Sequence, residues 1–315
     1  MTLAAVVSCL PVACSSADGS DRAAPAGSGE TIEHKFGTTE VPEDPERVAT
    51  VGWNDQDVVL ALGVVPVMTR AWFDSYDQLP WVVEATGGEP LPVAGGDGIN
   101  FEEIAASDPD VIFAMYEAID EPTYEKLSEI APTVIQSDDY PDEETPWDVQ
   151  LRTTGRALGK EDEADALLAE VDDRISTAVE QHPEFAGKVL AVDFGPESGG
   201  HYLIGSGDPR RALFDALGFE APSHEGDLSE ERLDELDADV LFVNGATREQ
   251  MLASPTFAAV PVVAEDRALY TSFDSSLGGA QAYSGPTALI HALDVLVPQL
   301  ANAVNGQPVT DLSDA

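Results

Sequence analysis

Short acidic helices that pass, through a turn, into strands rich in β-branched residues recur along this chain. That alternation is the strongest constraint on its fold. The stretch NFEEIAASDPDVIFA, residues 100–114, is echoed about 129 residues later by SEERLDELDADVLFV, residues 229–243. Laid one over the other, Glu102 meets Glu231, Asp108 meets Asp237, Asp110 meets Asp239 and Phe113 meets Phe242. The same rhythm surrounds both copies. RVATVGW (47–53) reads as a strand, NDQDVVLALG (54–63) as a helix ended by Gly63, and VVPVM (64–68) as a returning strand. YEKLSEIAP with TVIQ, KVLAVDF (188–194) with PRRALFDALG, and ALYTSF (268–273) continue it. Helix and strand in alternation predict an α/β fold whose largely parallel sheets are covered on both faces.

One segment breaks the rhythm. EDEADALLAEVDDRISTAVEQH (161–182) places apolar residues at 164, 167, 168, 171, 175 and 179, the stripe of a single helix. Acidic residues crowd its first turns, where the helix dipole favours them. At about 1.5 Å per residue it spans roughly 33 Å, enough to act as a stiff strut. A chain of 315 residues is long for one core and suits two. The expected architecture is two Rossmann-like lobes, 32–158 and 185–306, joined by one long rigid helix within 159–184 and followed by a loose tail, 307–315.

The N-terminus reads differently. MTLAAVVSCLPVAC is apolar and small-residue rich, and SSADGSDRAAPAGSGE after it is polar and flexible. Residues 1–14 are expected to be a lipoprotein signal and 15–31 a tether. Cys14, where the tether begins, is the lipidated residue on this reading, and Cys9 in VVSC is the alternative. No cysteine follows, which excludes disulfides, thiolate metal sites and a cysteine nucleophile from the body of the protein. The formal net charge of −44, with lysine only at positions 35, 126, 160 and 188, leaves no basic surface for nucleic acid or anionic membrane.

Motifs of catalysis are missing: there is no G-x-S-x-G elbow, Walker A loop or H-E-x-x-H pair. GSGDPR (205–210) begins like a dinucleotide loop but carries Arg210 where the third glycine belongs, and the five histidines are scattered. Aromatic residues and arginines cluster instead in loops after strands, where ligands of open α/β sheets sit. Trp53, Arg70, Trp72, Phe73, Tyr116, Tyr140 and Trp147 hold such places in the first half. His201, Tyr202, Arg210, Arg211, Phe273 and Tyr283 hold them in the second. Aromatic faces can stack on a bulky ligand, and guanidinium groups can hold its oxygens.

Taken in order, RVATVGW with LALGVVPV, NFEEIAASDPDVI, YEKLSEIAPTV, the ALGKEDEADALL helix and SEERL with DADVLFV resemble the periplasmic-binding-protein family for iron–siderophores, haem and cobalamin. The resemblance covers roughly residues 32–304. It implies a non-enzymatic, monomeric, lipid-anchored substrate-binding component of an ABC importer, carrying a ferric siderophore as cargo and no permanent cofactor. It also implies that Glu102 and Glu231 meet the membrane permease dimer. Four arginines (70, 152, 210 and 211) stand in an intensely acidic background, which favours a neutral or cationic hydroxamate complex over catecholates or carboxylates. Haem or cobalamin binding on the same fold, and an α/β enzyme with cleft carboxylates, are the competing expectations.

Overall fold

The computed structural model describes residues 29–70, 75–96, 98–195, 200–283 and 285–313, with the side chain of Tyr283 outside the description. Seven described strands occupy the first half. They are β1 (Glu30–His34), β2 (Gly37–Val41), β3 (Val48–Thr50), β4 (Thr69–Arg70), β5 (Val93–Ala94), β6 (Val111–Ala114) and β7 (Thr133–Ile135). β1 and β2 form an antiparallel hairpin, while β3, β6 and β7 make a parallel sheet in the order β3-β6-β7. The second half holds β8 (Leu190–Phe194), β9 (His201–Leu203), β10 (Gly226–Leu228), β11 (Val240–Asn244) and β12 (Ala268–Thr271) in one sheet of order β10-β9-β8-β11-β12. Its β8, β11 and β12 are parallel; β9 and β10 add an antiparallel edge.

The twin motif builds the same joint in each sheet. Every residue of β6 and β11 is buried, as strands covered on both faces require. In the first copy, Asp110 Oδ2 accepts the backbone N–H groups of Glu46 and Arg47, fixing the start of neighbouring β3. In the second, Asp239 Oδ2 accepts Val189 N–H at 2.9 Å and Oδ1 takes Lys188 Nζ at 2.9 Å, fixing the start of β8. The helices differ. Phe101–Ala106 is an α-helix capped by the Asn100 side chain, whereas Glu230–Leu236 is a 3₁₀ segment broken at Arg232. Three-residue periodicity points both Leu233 and Leu236 inward, and both are buried.

The strut is the helix Glu161–Gln181, 21 residues long. Its Ala164 and Leu168 pack in the core around β3 and β6, while Val171 and Ala178 pack in the core around β8 and β11. Against it lies the helix Trp147–Ala157, whose Gly155 approaches so closely that a β-carbon there would stand 2.7 Å from that of Ala164.

Four expectations need correction. The run 64–68 is not a strand: Pro66 lacks a donor, and only Met68 bridges to Ala49 before β4 begins at Thr69. The expected tether ends earlier than residue 31, because Glu30 and Thr31 already pair with Val41 and Glu40 in the hairpin. The tail is tied down rather than loose through Ser313. Leu312 is buried in the larger core, and Ser272 Oγ donates to the Ser313 carbonyl at 2.8 Å. Finally, Tyr76, Leu79, Trp81, Val82 and Leu91, placed by the sequence reading in the first lobe, share one continuous core with Phe214, Phe242 and Leu296. The two halves are thus joined by packed apolar side chains as well as by the strut, an arrangement that resists wide hinge motion.

Candidate functional site

A cleft of about 530 Å³ opens between the halves. Its first wall carries Asn54, Tyr116, Tyr140 and Trp147, and its second carries Asp208, Arg210 and Asp215. Both walls follow from strand ends. Tyr116 comes just after β6 and Tyr140 follows β7 by a few residues. Trp147 opens the helix Trp147–Ala157. Arg210 sits in the 3₁₀ turn Pro209–Arg211.

Buried Asp55 sets the geometry of the first wall. Its Oδ2 accepts Gly52 N–H at 3.0 Å and Met115 N–H at 3.1 Å, drawing the loops after β3 and β6 together. Trp53 N–H then donates to the Tyr116 carbonyl at 3.0 Å. Two residues on, Asp57 Oδ1 accepts the Tyr76 hydroxyl at 3.0 Å and Trp81 Nε1 at 2.7 Å. Burial pushes both carboxyls up to about 6, against the hydrogen bonds that each accepts. A folded pKa above the unfolded value means that stability from these groups is complete in acid and is lost as pH rises through about 6. Urea unfolding is therefore expected to show a protein on the order of 1 kcal/mol more stable at pH 5 than at pH 7.5 for each such group. Asp57→Asn should flatten that slope, and an unchanged slope would count against the assignment.

The expected ligand arginines are already engaged. The Arg70 guanidinium lies 3.4 Å from the Trp53 ring centroid and pairs with Glu117. Trp53 Nε1 donates to Glu143 Oε1 at 3.0 Å, so aromatic ring, guanidinium and two carboxylates form one internal cluster beside Tyr116. Across the cleft, Arg210 is held in a fork by Asp208, with Nε at 2.9 Å and Nη2 at 2.6 Å. It also lies over Phe194 at 4.7 Å and Tyr202 at 5.6 Å. Burial pushes the Asp208 carboxyl up, but the hydrogen bonds from Arg210 outweigh it and hold the group below the usual range. Burial also pushes the Tyr116 hydroxyl up to about 12; Arg210 pulls it down while Glu143, Asp208 and Glu144 push it further up. Tyr116 is a neutral hydrogen-bonding group at any physiological pH.

Of the residues expected to touch ligand, Tyr116, Tyr140, Trp147 and Arg210 meet on the cleft. Phe273 stands behind it, tilted against Phe194 at 5.4 Å between centroids, and Tyr202 is part of the platform under Arg210. Trp53 and Arg70 are spent on each other and do not line the cavity. Arg211 is a correction: it is fully buried, bonded through Nε to Asp215 Oδ1 at 2.7 Å, and does not line the cleft. Trp72, Phe73, Cys9 and Cys14, and the side chain of Tyr283, lie outside the described residues. The sequence reading missed Asn54, Glu144, Asp148, Gln150 and Gln281, polar residues that also face the cavity. Their one signal was position, since most follow strand ends or open a helix.

Glu102 and Glu231 are both exposed. Their neighbouring acids, also exposed, each accept an intramolecular hydrogen bond: Glu103 Oε2 from Gly95 N–H at 2.7 Å, and Glu230 from the Ser254 hydroxyl at 3.3 Å. Among the described residues, no group of histidines and carboxylates is placed to hold a metal ion.

Two α/β halves, a strut and a cleft between strand ends define a solute-binding protein, and the chain belongs to the periplasmic binding protein family, whose model matches residues 48–274. It is 26% identical over 251 residues, 73% of each chain, to the probable siderophore-binding lipoprotein YfiY of Bacillus subtilis. Among solved structures it resembles a periplasmic solute binding protein from Mycobacterium smegmatis, at 34% identity and a TM-score of 0.81, covering 88% of this chain and 99% of the other. It also resembles Streptococcus pneumoniae PiaA in complex with ferrichrome, at 27% identity and a TM-score of 0.73, covering 88% and 99%.

Proposed function

We propose that this protein is the substrate-binding component of an ABC importer and captures a ferric siderophore in the cleft. The observation that carries the reading is the aromatic-walled cavity between the halves, with Tyr116, Tyr140 and Trp147 facing Arg210. It is supported by relatives whose names include siderophore binding. The protein acts as a monomer without catalysis or permanent cofactor, held outside the cell membrane by lipid on Cys14. Glu102 and Glu231 present carboxylates to basic residues of a permease dimer.

The cargo is a neutral or cationic ferric hydroxamate. Arg70 and Arg210 are both matched to carboxylates of the protein itself, so neither offers uncompensated positive charge to an anionic complex. Titration calorimetry with a neutral ferric tris-hydroxamate and a trianionic ferric tris-catecholate tests this. The hydroxamate is expected to bind at least about a hundredfold tighter, a difference of about 3 kcal/mol. Tighter binding of the catecholate would overturn the ligand class, and failure of every ferric siderophore to bind would overturn the function. Haem is disfavoured because neither His201 nor Tyr202 lines the cleft and burial holds the Tyr116 hydroxyl protonated.

A further inference from the structure

We propose that Asp208 is a specificity-determining residue of the cleft. It cancels the charge of Arg210 but leaves that guanidinium donors for a guest, so the site takes neutral oxygens and turns anionic ones away. The inference rests on the siderophore reading above and assigns the selectivity within it to one side chain. Asp208 and Arg210 both line the cavity, with only Pro209 between them. Proline fixes the backbone there, and Asp208 Oδ1 accepts the Arg210 N–H at 2.9 Å, so the turn itself sets the pair. The carboxylate then holds the guanidinium at two points, Nε on Oδ1 and Nη2 on Oδ2, the strongest form of this contact. The rings of Phe194 and Tyr202 support the guanidinium from another side. Its Nη1 donates to none of the described residues.

No other cation competes for this role. Among the described residues that line the cavity, Arg210 is the one basic side chain; Arg70 and Arg211 lie off it, paired with Glu117 and Asp215. The charge that a guest meets on this wall is therefore decided by the partner of Arg210. Burial pushes the Asp208 carboxyl up, but the hydrogen bonds from Arg210 hold it below the usual range, so it stays ionised at physiological pH. With both groups only partly exposed, solvent and salt screen the pair less than they would at the surface. A neutral hydroxamate oxygen can accept from the remaining donors without disturbing the pair. A catecholate oxygen must either face the Asp208 carboxylate or displace it.

Titration calorimetry with the neutral ferric tris-hydroxamate and the trianionic ferric tris-catecholate, on the wild type and on Asp208→Asn, tests the assignment. Asparagine keeps the size of the side chain and an oxygen for the Arg210 N–H, and removes the charge. The catecholate should gain about tenfold in affinity, or about 1.4 kcal/mol, and so narrow the preference for the hydroxamate. A damaged fold would weaken both complexes instead. The gain should vanish when Arg210→Gln is added, because the released guanidinium is its source. Glu144→Gln, which removes an equal charge elsewhere on the cavity wall, should give a smaller gain. No gain in Asp208→Asn, a gain that survives Arg210→Gln, or an equal gain from Glu144→Gln would each overturn the role of Asp208 while leaving the siderophore reading intact. If the wild type bound neither complex, the siderophore reading would fail and this inference with it.

Discussion

A Glu102→Ala, Glu231→Ala double variant is expected to bind its ferric siderophore as tightly as the wild type while iron uptake falls at least tenfold, a loss of about 1.4 kcal/mol or more in the docked complex. The expectation follows from how the twin units spend their acids. In each unit a neighbouring surface carboxylate is committed to an intramolecular hydrogen bond, Glu103 to Gly95 and Glu230 to Ser254, while Glu102 and Glu231 stand exposed beside it. Asp110 and Asp239 perform matching work at the base of β3 and β8, so the two units present Glu102 and Glu231 from corresponding positions of two sheets. Each single variant should lose less than the pair if two permease subunits are engaged. Uptake of radiolabelled iron complex by cells carrying each variant, alongside calorimetry on the purified protein, checks both halves of the expectation. Normal uptake by the double variant would refute the docking role.

Asp215→Ala is expected to be the most destabilising change near the cleft, costing on the order of 3–5 kcal/mol by urea unfolding. Arg211 is fully buried, and Asp215 is its carboxylate partner, at 2.7 Å. Removing the acid leaves a guanidinium in the core with, among the described residues, only the Leu190 carbonyl, at 3.3 Å, to receive it. Arg211→Met should cost less, about 1–2 kcal/mol, because the Asp215 side chain is 39% exposed and can be hydrated once released. The order of the two effects is the test. If Arg211→Met were the more damaging, the energetics would lie in packing of the long side chain rather than in the unpaired charge.

Much of this was readable in the residues. β-Branched runs such as VIFA and VLFV became fully buried parallel strands, and the stripe at 164, 167, 168, 171, 175 and 179 became the strut that links two cores, with 164, 168 and 171 buried and Ala178 buried in place of exposed Val179. Elements without a periodic signature escaped. SLGGAQAY (276–283) has no apolar stripe yet is helical, because Gly278 and Gly279 let it press against Ser272 and Leu79. The antiparallel strands β9 and β10 are three residues each, too short to alternate visibly. The site was half legible for a related reason. Aromatic residues after strand ends can be read locally, and Tyr116, Tyr140 and Trp147 do face the cleft. The partner of an arginine cannot: Glu117 is 47 positions from Arg70, and only the fold shows that this cation is already matched.

Trp147 walls the cleft, and tryptophan fluorescence reads that cavity directly. Titrating the protein with a ferric tris-hydroxamate should quench its emission saturably at one complex per chain. Trp147→Phe should remove a large share of that quenching. Saturable quenching of the same amplitude in the variant, or none in the wild type, would mean that the cleft between Tyr116 and Arg210 is not where the iron complex binds.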